Sequence, residues 1–316
     1  MAKLVTGGTG FIGSHLARGL LAQGEDVVLF DIAPRYRAVG DIQDRVKVLR
    51  GDLACCPEVL DAVKSYRVDC IFHTGALLSA SAEENPLAAY MTNANGTLHV
   101  LEAARLFEVE QVIFVSSIAT YGPGVAECVN EDVIQRPTTM YGVTKVFCER
   151  LGEYYNLKFG LDFRGVRLPS VIGPGRGPGG ASAYSSLIVQ EPALGRPYRV
   201  FVDEEATIPL LYIKDATNCL LSLHQAPKES LRRRIYNIEG FSPTAGQLAS
   251  AVRGFIPEAR IEFAPDPAMV DIVRSWPNRC DGARALEEWG WKSRYGLDEA
   301  VEDFISELCA GAERYE

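Results

Sequence analysis

Short apolar segments alternate with longer amphipathic segments along the first 168 residues. The pattern predicts strands at 3–6, 26–31, 46–50, 69–73, 111–116 and 162–168. The first five are apolar throughout, which is typical of strands buried on both faces. Apolar residues at helical spacing predict helices near 11–23, 57–65, 86–107 and 138–159. This alternation predicts an α/β fold with a doubly wound parallel sheet of the Rossmann type.

The pattern changes after Pro169. A loop rich in Gly and Pro spans 173–180, followed by a predicted helix at 182–190 and a strand at 198–202. A helix beginning at Asp215 and a strand at 235–238 come next, and 242–316 is helix-rich with one strand-like run at 260–264. We therefore expect a sheet domain of residues 1–168 with about 215–238, and a smaller interleaved domain of residues 169–214 and 239–316.

Composition narrows the classes of partner. The chain has 316 residues, 47% of them hydrophobic, and its 41 acidic against 32 basic residues give a net charge of -9. Nucleic-acid binders concentrate Lys and Arg, so nucleic acid is not an expected partner. No apolar stretch has membrane-spanning length and no signal-peptide pattern opens the chain, so a soluble cytoplasmic protein without a membrane partner is expected. The eight cysteines and four histidines lack metal-ligand spacing, which predicts no metal and reduced, mostly structural cysteines.

A glycine motif lies between the first predicted strand and the first predicted helix. Gly8, Gly10 and Gly13 have the spacing that allows a tight turn and close approach of the backbone to a pyrophosphate. Asp31 ends the second strand, where its carboxylate can accept both ribose hydroxyls and repel a 2'-phosphate, which predicts NAD rather than NADP. Arg35 and Arg37 follow Asp31 and either serve a 2'-phosphate or are solvated loop residues.

A second constellation can carry acid–base chemistry. Tyr141 and Lys145 are four residues apart on a predicted helix, so both side chains emerge on one face. A tyrosine that acts as a base near neutral pH needs its pKa lowered by about three units, roughly 4 kcal/mol. A neighbouring ammonium group and a positively charged nicotinamide favour the phenolate. Ser116 and Ser117 end the fifth strand, where ligands of such folds bind, and the Ser117 hydroxyl can hold the substrate oxygen.

Together the segment 6–13, Asp31, Ser117, Tyr141 and Lys145 resemble the extended short-chain dehydrogenase/reductase family of NAD(P)-dependent dehydrogenases, epimerases and dehydratases. The resemblance covers nearly the whole chain and implies a homodimer and a catalytic set of Ser117, Tyr141 and Lys145, with Lys145 also holding the nicotinamide ribose. The cofactor-binding set predicted from the motifs and the resemblance is Gly7, Gly10, Phe11, Ile12, Gly13, Asp31, Asp52, Leu53, His73, Ala76, Asn93, Ser116, Tyr141, Lys145, Pro169 and Val171.

Three members of that set have a plain structural alternative. Asp52, with Leu53, is placed to meet the adenine, but it also suits a simple turn at the end of a strand. His73 is either a cofactor-lining residue or a buried histidine with its hydrogen bonds satisfied. Asn93 either supports the active-site helix or is an amide on a helix surface.

Within the family, the stretches 76–80, 134–137, 151–155, 160–164, 275–277 and 289–291 resemble those of short-chain-type L-threonine 3-dehydrogenases. This resemblance implies NAD-dependent oxidation of the 3-hydroxyl of a small 2-amino-3-hydroxy acid, L-threonine foremost, with Tyr141 taking the hydroxyl proton. The predicted substrate-binding set is Ser79, Ser117, Tyr141, Gly180, Ser182 and Trp276, although Trp276 also suits a packing anchor of the smaller domain.

The chain departs from that subfamily in the loop predicted to close over the substrate. It has Ala181, Ser182 and Ala183 where the threonine enzymes carry Thr and Thr-Asp, so a hydroxyl and a carboxylate partner are missing. Two alternatives stay open. One is a nucleotide-sugar 4-epimerase that uses the same three residues on tightly bound NAD, with Arg199 or Arg274 as partners for a pyrophosphate. The other is a dinucleotide sensor or scaffold without turnover.

Overall fold

Seven parallel strands form the central sheet of the computed structural model, which describes residues 1–311. The strands of the described residues are β1 (Ala2–Thr6), β2 (Asp26–Asp31), β3 (Val46–Arg50), β4 (Val68–His73), β5 (Gln111–Ser117), β6 (Cys128–Val129), β7 (Asp162–Leu168), β8 (Ser170–Ile172), β9 (Tyr198–Val200), β10 (Leu210–Tyr212), β11 (Ile235–Asn237), β12 (Ile261–Phe263) and β13 (Arg279–Cys280). The central sheet has the order β3-β2-β1-β4-β5-β7-β11, and all its neighbouring strands are parallel. This confirms the predicted doubly wound parallel sheet.

Helices cover both faces of this sheet. The helices of the described residues are α1 (Phe11–Ala22), α2 (Cys56–Ser65), α3 (Ser79–Glu84), α4 (Pro86–Ala89), α5 (Gly96–Leu106), α6 (Met140–Phe159), α7 (Tyr184–Ala193), α8 (Ile213–Gln225), α9 (Ala245–Phe255), α10 (Pro267–Arg274), α11 (Ala283–Trp289) and α12 (Leu297–Gly311). Alternate residues of one strand enter different apolar layers: Val5 of β1 packs with α1 and α8, whereas Leu4 packs with α2 and α5. The continuous apolar runs in the sequence reflect this burial on both faces.

The prediction of one continuous helix at 86–107 is wrong. The structure divides this region into α4, a π-helical turn at Tyr90–Asn95, and α5. Asn85 begins α4 by accepting a hydrogen bond from the backbone N–H of Ala88, and Pro86 occupies the first turn. The preceding helix α3 was not predicted. Extra residues of this kind in a helix often occur at functional sites, and this turn carries Asn93.

The segments after Pro169 add three small parallel sheets, β8 with β10, β9 with β12, and β6 with β13. The loop and helix predicted at 173–190 correspond to a loop that leads into α7 (Tyr184–Ala193). The division into two interleaved domains stays a prediction. In the described part of the chain, no helix is long and apolar enough to span a membrane, and no three His, Cys, Asp or Glu side chains group as possible metal ligands. All eight cysteines are free thiols.

Candidate cofactor and active site

The turn from β1 into α1 brings backbone atoms unusually close together. Gly7 has a φ of +62°, and a Cβ atom on Gly13 would lie 2.3 Å from the Gly7 carbonyl oxygen, so no larger residue fits there. Gly10 precedes α1 and no side chain caps the helix. The first N–H groups of α1 are therefore available to an anion, and the helix dipole favours negative charge there. This turn fits the pyrophosphate of a dinucleotide.

Asp31 is fixed beside this turn by hydrogen bonds. Its Oδ2 accepts from the backbone N–H of Thr9 at 3.1 Å and from the Thr9 hydroxyl at 2.7 Å, and its Oδ1 accepts from the Ala33 N–H at 3.2 Å. The strand-end carboxylate thus has the position that recognition of a ribose diol requires. Arg35 and Arg37 line a cavity of about 340 Å³ together with Gly10.

Asp52 and Leu53 follow β3. The Asp52 Oδ1 accepts a hydrogen bond from the Ala54 N–H at 2.8 Å, which closes a turn ahead of α2. Leu53 is buried, and its side chain lies so close to the backbone of Gly75 that a Cβ atom on Gly75 would be 3.0 Å from Leu53 Cδ1. Ala76 is half-buried against the core. The structure thus brings Leu53 and the segment after β4 together, at the same edge of the sheet as the glycine turn.

His73 is buried at the end of β4 with both ring nitrogens in hydrogen bonds. Nδ1 lies 2.7 Å from the Thr6 hydroxyl, and Nε2 lies 2.9 Å from the Thr97 hydroxyl. The Thr97 hydroxyl donates its own proton to the Asn93 carbonyl at 2.6 Å, so it accepts from Nε2. Burial, with the nearby Lys145, lowers the pKa of His73 to about 3. The ring is therefore neutral, and neither nitrogen is left for a cofactor, which favours the structural alternative for this residue.

This histidine makes stability sensitive to acid. Its folded-state pKa of about 3 lies below the ordinary value of 6.5, so the stability it contributes is present above 6.5 and is lost as the pH falls. We expect the free energy of unfolding to fall by about 2 kcal/mol more between pH 7 and pH 5 in the wild type than in His73→Gln. Urea denaturation at each pH measures this, with His99→Gln as a control that keeps His73. Parallel pH dependences for wild type and His73→Gln would contradict the assignment.

Helix α6 carries Tyr141 to the end of β5. The Thr139 hydroxyl caps this helix by accepting from the Gly142 N–H at 3.2 Å. A Cβ atom on Gly142 would lie 2.1 Å from the Ala119 carbonyl oxygen, so only glycine lets the first turn approach the segment after β5. Ser117 begins that segment, and its Oγ accepts from the Ala119 N–H at 3.2 Å. Close packing of the two segments therefore brings Tyr141 and Ser117 together.

The sequence predicts a lowered pKa for Tyr141 because Lys145 is nearby, whereas the surroundings of Tyr141 in the structure raise this pKa. Burial raises the pKa of Tyr141 to about 12. The Ser117 hydroxyl and the Arg176 charge lower the pKa, but they offset only part of the effect of burial. The Lys145 amine donates to the Val115 carbonyl at 2.7 Å and lies 5.6 Å from the centre of the Tyr141 ring. Burial also lowers the pKa of Lys145 to about 8. The two side chains share a helix face as predicted, and the effect of burial on the phenol pKa outweighs that of the polar groups around it.

Ser116 and Ser117 have different environments. The Ser116 hydroxyl is buried and donates to Glu149 Oε1 at 2.5 Å, so it is engaged within the protein.

Asn93, on the π-helical turn, donates to the Thr144 hydroxyl of α6 at 3.1 Å and to the Leu77 carbonyl at 3.0 Å. Its amide therefore ties the segment after β4 to α6 and is not on a helix surface.

A cavity of about 100 Å³ is lined by all six predicted substrate residues. It is lined by Phe11, Ile12, Leu78, Ser79, Val115, Ser116, Ser117, Ile118, Ala119, Tyr141, Leu168, Pro169, Ser170, Val171, Arg176, Gly180, Ser182 and Trp276. Sequence reasoning missed Arg176, whose Nη2 donates to the Ser182 hydroxyl at 3.1 Å. The only sequence signal was a single arginine in the loop rich in Gly and Pro.

The glycine turn, the strand-end carboxylate and the adjoining cavity define a nucleotide-dependent oxidoreductase fold. Residues 3–238 match the NAD dependent epimerase/dehydratase family. The chain belongs to this family, and it is an NAD-dependent oxidoreductase of the extended short-chain type. The predicted family and cofactor are thereby confirmed.

Relatives and solved structures give a finer comparison. The chain is 34% identical over 310 residues to mitochondrial L-threonine 3-dehydrogenase of Bos taurus, with 96% of this chain and 81% of that protein covered. It is similar to the holo form of GalE-like L-threonine dehydrogenase from Cupriavidus necator, with a TM-score of 0.92, 32% identity, and 98% and 100% coverage. The UDP-glucose 4-epimerase of Thermus thermophilus in complex with NAD gives a TM-score of 0.85, 25% identity, and 98% and 99% coverage.

Proposed function

We propose that the protein oxidises the 3-hydroxyl of a small 2-amino-3-hydroxy acid, L-threonine foremost, with NAD as the hydride acceptor. The observation that carries this proposal is the small cavity in which Tyr141 and Ser117 face the same space as Phe11, Pro169 and Val171. The similarity to the L-threonine dehydrogenases of Bos taurus and Cupriavidus necator supports the substrate.

The roles of the site residues follow from their positions. Tyr141 accepts the proton of the substrate hydroxyl, which the Ser117 hydroxyl holds within reach. Lys145 would hold the nicotinamide ribose from the buried face of α6, and the glycine turn with Asp31 would hold the pyrophosphate and the adenosine ribose. The bound cofactor would supply the hydride acceptor and a positive charge that favours the Tyr141 phenolate.

A nucleotide-sugar 4-epimerase is the second candidate, favoured by the similarity to the Thermus thermophilus enzyme. Against it, the cavity beside Tyr141 and Ser117 is lined mainly by apolar and hydroxyl side chains, with Arg176 as its one charged lining residue. The predicted pyrophosphate partners Arg199 and Arg274 do not line it, and Arg274 is paired with Asp203 at 2.8 Å on the surface.

The appearance of NADH separates these functions. We expect purified protein with NAD to generate NADH from L-threonine and other small hydroxy acids and to leave UDP-glucose and UDP-galactose unchanged. Interconversion of the two sugars without net NADH would establish the epimerase instead. Binding of NAD without turnover in either assay would favour the sensor.

We also propose a homodimer formed through an apolar surface on α4, the π-helical turn and α6. Exposed large apolar side chains on these elements are Leu87, Tyr90, Met91, Val143, Phe147, Tyr154, Leu157 and Phe159. Surface patches of this kind mark protein–protein contacts more often than chance. Sedimentation equilibrium tests the proposal, and a monomer at micromolar concentration would contradict it. A cytoplasmic location stays a prediction.

A further inference from the structure

The Arg176 side chain lines the active-site cavity with much of its hydrogen-bonding capacity unused. Its one hydrogen bond in the described structure is the one from Nη2 to the Ser182 hydroxyl at 3.1 Å. Its Nε is shielded from solvent and has no acceptor. Trp276 lines the same cavity, and its indole Nε1 is also buried without an acceptor. Two N–H donors in one cavity wall therefore lack partners, which is costly unless a ligand supplies the acceptor.

The charge of this wall is positive and unbalanced. None of the residues that line the cavity is Asp or Glu. Burial lowers the pKa of Arg176, because the charged form is poorly solvated there and no carboxylate compensates. An arginine remains protonated at any ordinary pH, so the cavity holds a guanidinium group without a counter-ion. Such a site favours an anionic ligand and offers an ammonium group no partner.

We propose that Arg176, together with Ser182 and the Trp276 indole, receives the carboxylate of the substrate, and that the site selects small hydroxy acids by this carboxylate rather than by a 2-amino group. The inference rests on the proposed oxidation at Tyr141 and names the substrate class of that site. A guanidinium fork matches a carboxylate in two parallel hydrogen bonds, which fixes orientation as well as charge. The threonine enzymes carry Thr and Thr-Asp where this chain has residues 181–183 without a carboxylate. This difference fits the scheme, because the ammonium group of an amino acid substrate would have no carboxylate partner there.

The positions agree with a short substrate. Arg176 is close enough to Tyr141 for its charge to act on the phenol pKa, and the backbone of Gly180 lies against its guanidinium group, with a Cβ there 3.7 Å from Nη2. Both groups border a cavity of about 100 Å³. A molecule that places a carboxylate at Arg176 and a hydroxyl at Tyr141 must therefore be small, as a hydroxy acid of about four carbons is.

Steady-state kinetics with three compounds tests the inference. L-threonine carries both charged groups, 3-hydroxybutanoate lacks the amino group, and L-threoninamide lacks the carboxylate. For the wild type we expect kcat/KM to fall at least about tenfold for the amide and less for 3-hydroxybutanoate. In Arg176→Met we expect kcat/KM for the two acids to fall about 10- to 100-fold, mainly through KM, with no fall for the amide.

Two further variants sharpen the result. Arg260→Met removes the same charge from an exposed position outside the cavity and should match the wild type. Arg176→Lys keeps the charge without the planar fork and should recover part of the acid preference. If Arg176→Met fails to fold, Arg176→Lys still tests the site, because a kcat/KM for both acids equal to that of the wild type would overturn the inference. Equal kcat/KM values for the acids in wild type and Arg176→Met would overturn it as well.

Failure of the proposed oxidation gives a different pattern. If the wild type oxidises none of the three compounds, calorimetry on the NAD-loaded protein measures binding of L-threonine and 3-hydroxybutanoate directly. Binding that weakens in Arg176→Met supports the carboxylate subsite while the proposed function fails. Absent binding, or binding that is unchanged in Arg176→Met, overturns the subsite.

Discussion

Replacing Tyr141 with Phe is expected to lower kcat for alcohol oxidation by about 10²- to 10⁴-fold, the range that a positioned acid–base group contributes. The substitution removes one oxygen atom from a buried ring and leaves the ring that packs against the core. NAD affinity should change little, because the glycine turn and Asp31 hold most of the dinucleotide. NADH absorbance measures turnover, and titration of protein fluorescence with NAD measures cofactor affinity.

Tyr155→Phe is a matched control on the same helix. Tyr155 is also buried, it lies 14 residues further along α6 and does not line the cavity, and its hydroxyl donates to Glu102 at 2.6 Å. Its loss removes the same atom without touching the proposed chemistry, so turnover should stay close to that of the wild type. A Tyr141→Phe enzyme as active as Tyr155→Phe would show that another group accepts the proton.

The pH dependence of the oxidation rate is a second test of whether Tyr141 accepts the proton. Burial raises the pKa of Tyr141 to about 12, so the phenolate is the minor form at neutral pH. Since the deprotonated phenol is the proton acceptor, the rate of oxidation should rise with pH from neutral to mildly alkaline values. Residual activity of Tyr141→Phe should not show this rise.

The sheet could be predicted from the sequence because strands buried on both faces have continuous runs of apolar residues. The predicted limits of β2, β3 and β7 agree with those of the structure. The glycine turn and the strand-end Asp31 could be predicted because their roles depend on residues close in the chain. The shared helix face of Tyr141 and Lys145 follows from helical geometry in the same way.

The rest depends on contacts between distant segments. The pKa of Tyr141 depends on burial, on the Ser117 hydroxyl and on Arg176, which reaches the cavity from a loop 35 residues further along the chain. The Lys145 amine meets a backbone carbonyl of β5, which no spacing could indicate. The π-helical turn that places Asn93 also has an ordinary helical sequence pattern. Local patterns therefore indicate the candidate groups, whereas tertiary structure sets their charge and partners.

Glu149 is another residue whose partners come from distant segments. It lies on α6 one turn beyond Lys145, and the sequence analysis did not identify it. Its carboxylate is fully buried and receives two parallel hydrogen bonds from Arg167, with Nε–Oε1 at 2.9 Å and Nη2–Oε2 at 2.8 Å. Ser116 at 2.5 Å, Gln135 at 2.9 Å and the half-exposed Arg150 at 3.3 Å also donate to it. Burial alone would raise its pKa, but Arg167 outweighs that effect and lowers it. The carboxylate thus joins α6 to the ends of β5 and β7.

Glu149→Gln is expected to lower the free energy of unfolding by about 3–5 kcal/mol, because it leaves the buried Arg167 charge without its counter-ion. Urea denaturation at neutral pH measures this. Glu153→Gln, one turn further on α6, removes a carboxylate that pairs with the half-exposed Arg150 and should cost no more than about 1 kcal/mol.

The double variant Glu149→Gln with Arg167→Met separates loss of a charge from loss of packing. Removing both charges should restore part of the stability, since an uncompensated buried guanidinium is the main cost in the single variant. Equal stabilities for Glu149→Gln and Glu153→Gln would show that the buried pair does not hold α6 in place. In that case the position of Tyr141 would rest on the close contact of Gly142 with Ala119 instead.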